Sequence, residues 1–318
     1  MNYFKKCFFI ILLSMLILCS IFVVINISMK NIMTEKIENQ KTEVVKIVNI
    51  VLYPKEQQTP ENYLNYFEQI YKSKKKFATY GERKTGIKSY FPSSNNTHII
   101  HGDFFNGAFF EAENHALDTE TNEIIPYKMD PKKGLAPKIW RYYFFADYHR
   151  LVFFSKEASE PQILKFLNKA FASLLNEDDF RINIEKDENK IEEIITSAGL
   201  TKLHVSLSYS NNDNYDDWAE LIDSDMRDSD SRRGTFDFTG TRKKPIQLMK
   251  SKIQKALLTL SRSNGHAEAV GHYENGISYK INTQQFPQEK AISYIDDPTA
   301  AIEGVLKSIT NNEGQDKK

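Results

Sequence analysis

Imidazole and carboxylate groups gather between residues 98 and 115, where His98, His101 and His115 accompany Asp103 and Glu111. These types suit a divalent metal. An odd separation, however, sends His98 and His101 to opposite faces of a regular strand, so no metal site is expected. Asp213, Asp216, Asp217, Glu220, Asp223, Asp225, Asp228 and Asp230 form an acidic run. It lacks the ligand order and central glycine of a calcium loop and reads as a solvated face. The glycines around Thr235–Thr239 fit neither a Walker loop nor a dinucleotide fingerprint. No GxSxG elbow occurs, and the seven histidines show no catalytic spacing. No cofactor is expected. Cys7 and Cys19 are the only cysteines and sit in the N-terminal apolar segment, which excludes disulfides, thiolate zinc sites and cysteine catalysis from the folded part.

Two basic clusters remain. Arg232 and Arg233 with Arg242, Lys243 and Lys244 form one; Lys132, Lys133, Lys138, Arg141 and Arg150 form the other. Guanidinium and ammonium groups neutralise phosphates, and Tyr142, Tyr143 and Tyr148 offer rings on which bases stack. Arg141 and Arg150 fall on opposite arms of an expected hairpin and are read as reaching one ligand. The candidate nucleic-acid residues are therefore Arg141, Arg150, Arg232, Arg233, Arg242, Lys243 and Lys244. A metal-dependent nuclease built on the acidic run or the histidine-rich strand is the alternative.

The elements that would position these groups are legible around residues 139–207. Ile139–Phe145 and Arg150–Ser155 are aromatic-rich runs joined by Ala146–His149, the pattern of a β-hairpin. Pro161 opens a helix whose Ile163, Leu164, Leu167, Ala170, Phe171, Leu174 and Leu175 recur at helical spacing. A strand over Phe180–Ile184, a short helix closed by Gly199 and a strand over Leu203–Leu207 follow. The order β-β-α-β-α-β predicts an α+β fold, a mixed and mainly antiparallel sheet with helices packed on one face. Phe144, Phe154, Leu167, Phe171 and Leu207 are expected inside one such unit.

Upstream, Val44–Tyr53 reads as a central strand, the segment after Thr59-Pro60 as a capped helix, and Gly86–Phe91 and Thr97–Phe105 as strands. Residues 111–136 read as a long loop. Downstream, Pro245–Ser261 predicts a helix, and 267–270, 277–281 and 291–295 strands. The folded domain is placed at 44–298, with a break between subdomains near 208–240 and a C-terminal tail at 299–318.

The chain carries 42 basic and 42 acidic residues, and Lys5, Lys6 and Lys30 are the only charges before Glu35. The remainder is thus slightly acidic, which excludes a uniformly basic nucleic-acid cradle and leaves local patches. Residues 7–27 are uncharged over about the 20 residues that a membrane helix needs, so 1–30 is expected to be a transmembrane anchor and 31–43 a spacer. Lys5 and Lys6 compete with Lys30, Lys36, Lys41 and Lys46 in setting orientation. A single-pass protein of a bacterial inner or cell membrane is expected, its folded part on the cytoplasmic side. An extracytoplasmic sensor is the alternative.

Three segments together resemble a bacterial family catalogued as domain of unknown function 4747. They are Ile47–Pro54, a likeness of its opening strand; Ile100–Glu111, of its glycine-initiated strand; and Leu135–Phe154, of its proline, strand, basic-turn, strand signature. The resemblance implies an α+β domain near prophage and defence genes. It implies a role in phage defence or exclusion, with other defence proteins as partners, and carries no catalytic residues.

Overall fold

The computed structural model describes residues 40–109, 113–128, 130, 133, 135–210 and 217–312. The expected anchor at 7–27, Glu111, Lys132, Asp213 and Asp216 lie outside them. Among the described residues no helix is long and apolar enough to cross a membrane.

The chain begins with β1 (Lys41–Leu52), α1 (Pro60–Ser73), β2 (Phe77–Tyr80), β3 (Arg83–Ile87), β4 (Phe91–Pro92) and β5 (Ile99–Ala108). A separate hairpin, β6 (Glu113–Leu117) and β7 (Ile124–Lys128), occupies part of the span expected to be a loop. Next come β8 (Leu135–Phe145), β9 (Arg150–Phe154), α2 (Glu160–Ala172), β10 (Phe180–Ile184) and α3 (Glu188–Thr196). The rest is β11 (Leu200–Leu207), α4 (Asp217–Asp228), β12 (Gly234–Thr239), α5 (Lys252–Asn264), β13 (Gly265–His272), β14 (Ser278–Asn282), β15 (Glu289–Tyr294) and α6 (Thr299–Asn312).

Local chemistry accounts for many boundaries. Thr59 caps α1 by accepting from the Asn62 amide at 3.3 Å, with Pro60 in the first turn, where its missing N–H costs nothing. Ser251 caps α5, so that helix starts later than the apolar spacing predicts, after a 3-10 turn at Leu248–Lys250. Between β8 and β9 the turn ends on His149 at φ 53°, a left-handed conformation in which histidine is enriched.

β1 is the axis of a large antiparallel sheet of order β10-β1-β9-β8-β5-β3-β2, with β15 sharing the β10 edge of β1 and β4 joined to β5. One face of β1, through Val48, Ile50 and Leu52, packs under α1 and α2. The other starts at Val45 and Ile47 against Ile302 and Leu306 of α6, then passes Asn49 to reach Val51 and Tyr53 under a second layer. That layer is an antiparallel sheet of order β12-β11-β13-β14 carrying α3, α4 and α5 on one side. Helix α5 runs straight into β13, and a Cβ on Gly265 would lie 1.9 Å from the Ser206 carbonyl oxygen, so only glycine allows the close approach of β13 to β11. Helix α3 closes on Ser197 in an extended conformation rather than on Gly199 as expected; Gly199, at φ +71°, makes the turn into β11.

The α+β class and mainly antiparallel pairing are as expected; helices on a single face are not. The large sheet is covered on both faces, and the β-β-α-β-α-β run divides between two sheets after α3. The five expected core residues accordingly fall in three clusters: Phe144, Leu167 and Phe171 under α1 and α2, Phe154 under α6, and Leu207 under α5. Phe153 and Phe154 point to opposite faces because strand side chains alternate, and an unbroken apolar run hides which parity is which. Residues 217–239, within the expected break, supply α4 and β12 to the second layer. Residues 299–312, read as tail, form a helix with Ile302 and Leu306 buried.

Candidate nucleic-acid interface

Pairing with carboxylates separates the candidate arginines into two groups. Arg141 on β8 donates through Nε to Glu157 at 2.6 Å, through Nη2 to Glu43 at 2.9 Å, and lies 3.8 Å over the Phe154 ring. Burial works against its charge, yet the hydrogen bonds it donates to Glu43 and Glu157 outweigh it and hold the guanidinium above its ordinary pKa. Arg150 is buried: its Nε donates to Glu185 at 2.8 Å and its Nη1 to Asn49 at 2.6 Å. The two arginines share a sheet face, since Arg150 is opposite Phe145, but stand four residues apart along the ladder, about 13 Å. They do not meet one ligand, and each is engaged in an internal ion pair.

The aromatic expectation changes too. Tyr142 is fully buried and stacks on Phe104 at 4.2 Å between centroids, while Tyr143 stacks on His101 at 5.8 Å. Tyr142 is closed to a base, and Tyr143 is half-buried with one ring face against His101.

Arg232 is held by Asp179 at 3.1 Å and Asp230 at 3.3 Å. Arg233, Lys243 and Lys244 are exposed and carry no side-chain partner among the described residues. Arg242 is exposed as well and donates to Nε2 of His272 from Nε and Nη2, at 3.0 and 2.7 Å. A tight turn presents this cluster: the Thr241 and Lys244 amides donate to each other's carbonyls at 3.0 and 3.1 Å. The loop is pinned to the second sheet by Gly240 N–H to Thr201 and Ile246 N–H to Leu200.

These residues bracket β12, which among the described residues is an edge strand paired with β11 alone. Arg232 and Arg233 immediately precede its first residue, and Arg242–Lys244 follow just after its last. Six residues of strand span about 20 Å. Along it Thr235, Asp237 and Thr239 are exposed while Phe236 and Phe238 turn toward the helices. Beside Arg233, Lys169 and Arg181 with Asn168, Glu177 and Asp178 line an open cavity of about 460 Å³.

Sequence reasoning passed over the face of this second sheet that is turned away from its helices and, among the described residues, is not covered. One rung there reads Asp237, His204, Glu268, Asn282 across β12, β11, β13 and β14. Asp237 bonds Nδ1 of His204 at 2.8 Å, and Lys280 pairs with Glu268 at 2.7 Å. His266 lies diagonally from His204, ring centroids 6.2 Å apart. Burial, then the charges of Lys186 and His204, push its pKa down. Burial also pushes Lys186 down to about 8, against the opposing pull of Glu185. The only sequence signal was alternation, in Leu203–Leu207 and again in His266–Val270; it marks a polar face without saying which strands are neighbours.

The earlier histidine group is dispersed. His98 bonds Asp147 at 2.7 Å, and Asp103 pairs with Lys88 at 3.1 Å. No described cluster of three or more histidine, cysteine or acidic side chains is arranged to hold a metal ion. In the acidic run, Asp223 is not solvated: it is buried, accepting from the Ser210 amide and hydroxyl, both at 2.7 Å, and pairing with Arg227.

No curated protein matches the chain. The segments that carried the family resemblance prove to be β1, β5 and the β8–β9 pair, four neighbouring strands at the centre of the large sheet. A family model matches residues 41–311, from the first strand through the last helix, and the chain thus belongs to the family described as a domain of unknown function (DUF4747).

Proposed function

We propose that this is a binding protein of a phage-defence or exclusion system, tethered to a bacterial inner or cell membrane through residues 7–27. On this reading its folded domain faces the cytoplasm, contacts DNA or RNA along the β12 edge, and works beside other defence proteins. The observation that carries the nucleic-acid reading is the placement of exposed cations at both ends of one edge strand. At about 0.1 M salt the screening length is about 10 Å, so each cluster acts on a nearby phosphate regardless of the near-neutral whole. The described side chains on the adjoining open face include Lys202, Ser206, Thr235 and Thr239 but no phenylalanine, tyrosine or tryptophan. Phosphate contact without base stacking follows, and such contacts position a strand without reading it.

Binding of single-stranded RNA, single-stranded DNA and duplex DNA to the full chain across a salt series tests this. Replacing Arg242, Lys243 and Lys244 together with alanine should flatten the slope of log affinity against log salt by up to about two to three, since each neutralised phosphate contributes about 0.7–0.9. Sequence preference should not change. Absence of binding at low salt, or a slope indifferent to the triple change, overturns the reading. The tether has its own test. Carbonate-washed membranes should retain the full chain and release a version lacking residues 1–30; recovery of the full chain in the wash removes the membrane from the proposal.

A further inference from the structure

The open face beside β12 carries two histidines that phosphate neutralisation leaves unused. His204 on β11 and His266 on β13 occupy diagonal positions, because Glu268 is opposite His204 and Ser206 opposite His266. Their rings are 6.2 Å apart. His204 Nδ1 lies 2.8 Å from Asp237; with the carboxylate as acceptor, Nδ1 carries the donated proton and Nε2 is the atom that exchanges one. His266 has no side-chain hydrogen bond among the described residues and is half exposed. Two imidazoles, one oriented by a carboxylate and the other without a side-chain hydrogen bond among the described residues, stand side by side on one sheet face with the cations of the β12 ends beyond them, the composition of an acid–base pair.

We propose that His266 and His204 act as general base and general acid in the transesterification of single-stranded RNA, an inference that rests on nucleic acid binding at the β12 edge. His266 takes the proton of a ribose 2′-hydroxyl, and O2′ forms a bond to the adjacent phosphorus. The P–O5′ bond breaks as His204 Nε2 delivers a proton to the departing 5′-oxygen. The products are a 2′,3′-cyclic phosphate and a 5′-hydroxyl, and the reaction needs no oxidant, reductant or further reactant. Attacking and leaving oxygens lie roughly in line on opposite sides of phosphorus, and each must come within about 2.6–3.2 Å of its proton-transfer partner. The two rings stand on neighbouring strands of one face, centroids 6.2 Å apart, so both can address a single bound strand. The base role is given to His266, which has no side-chain hydrogen bond among the described residues and whose neutral form is favoured by burial and then by the charges of Lys186 and His204. The other charged groups around the pair are Asp237 from β12, Glu268 from β13 and Lys280 from β14.

Full chain in detergent micelles, mixed with an end-labelled single-stranded RNA in the presence of EDTA, should generate fragments ending in cyclic phosphate, with a bell-shaped dependence of rate on pH. His204→Gln and His266→Gln should each lower the rate by about 10²–10⁴-fold while leaving affinity unchanged. Both side chains face the open side of the sheet, so neither substitution disturbs the core. Asp237→Asn, a positioning change, should lower kcat with KM unaltered and change the pH profile of kcat. The all-deoxy strand should be bound and left intact. RNA bound but uncut overturns the histidine proposal and spares the binding reading; cleavage that persists in the double histidine variant also overturns it. Loss of both binding and cleavage overturns both.

Discussion

Replacing Arg150 with methionine should lower stability by about 3–5 kcal/mol, the cost of leaving a buried charge without its partner. Arg150 and Glu185 have side chains only 1% exposed. Glu185 accepts from Arg150 Nε at 2.8 Å and from Ser263 Oγ at 2.7 Å, while Asn49 joins Arg150 to Asn264 of α5 at 2.8 Å. This network lies where β1 passes from the α6 cluster to the second layer, so it ties the two sheets together through buried polar groups. Methionine fills much of the space yet removes the guanidinium that pairs with the buried Glu185 carboxylate. The paired change Arg150→Met with Glu185→Leu should recover most of the loss, because removing both charges also removes their desolvation cost. Urea midpoints at unchanged slope measure both variants. A single variant within about 1 kcal/mol of the parent would mean that the pair is not sealed from water.

Phe171→Ala should cost about 3–5 kcal/mol, the range for removing a buried ring whose cavity cannot fully collapse. Phe171 is completely buried on α2, against Phe67 of α1 at 5.7 Å and Phe180 of β10 at 5.7 Å between ring centroids. Phe67 in turn packs on Phe144 at 4.4 Å. Both helices and the sheet meet at this ring, so its neighbours are held from three sides and have little freedom to close the gap. Phe171→Leu, which keeps most of the volume, should lose considerably less. An unchanged thermal midpoint for the alanine variant would show that α2 presents another face to the sheet.

Where local chemistry decides structure, the amino acids alone were enough. The β8–β9 hairpin, α2 behind Pro161, and β10 at Phe180–Ile184 follow from aromatic and apolar periodicity and from cap and turn residues, all of which act over a few neighbouring positions. The same reasoning identified Arg233, Arg242, Lys243 and Lys244 as accessible cations, because loop composition is also local. Tertiary structure alone decided the rest. Phe153 and Phe154 are equally apolar, and only the packing of α6 on one side and α1 with α2 on the other assigns them to different cores. Arg150 has the composition of a surface cation until Asn49, 101 positions away, and Glu185, 35 away, enclose it. His204 and His266 are 62 residues apart in the chain and adjoin because β11 pairs with β13. The register of an antiparallel pair is set by which faces must leave water and by what covers them, and that information is distributed over contacts between distant segments rather than written in either strand.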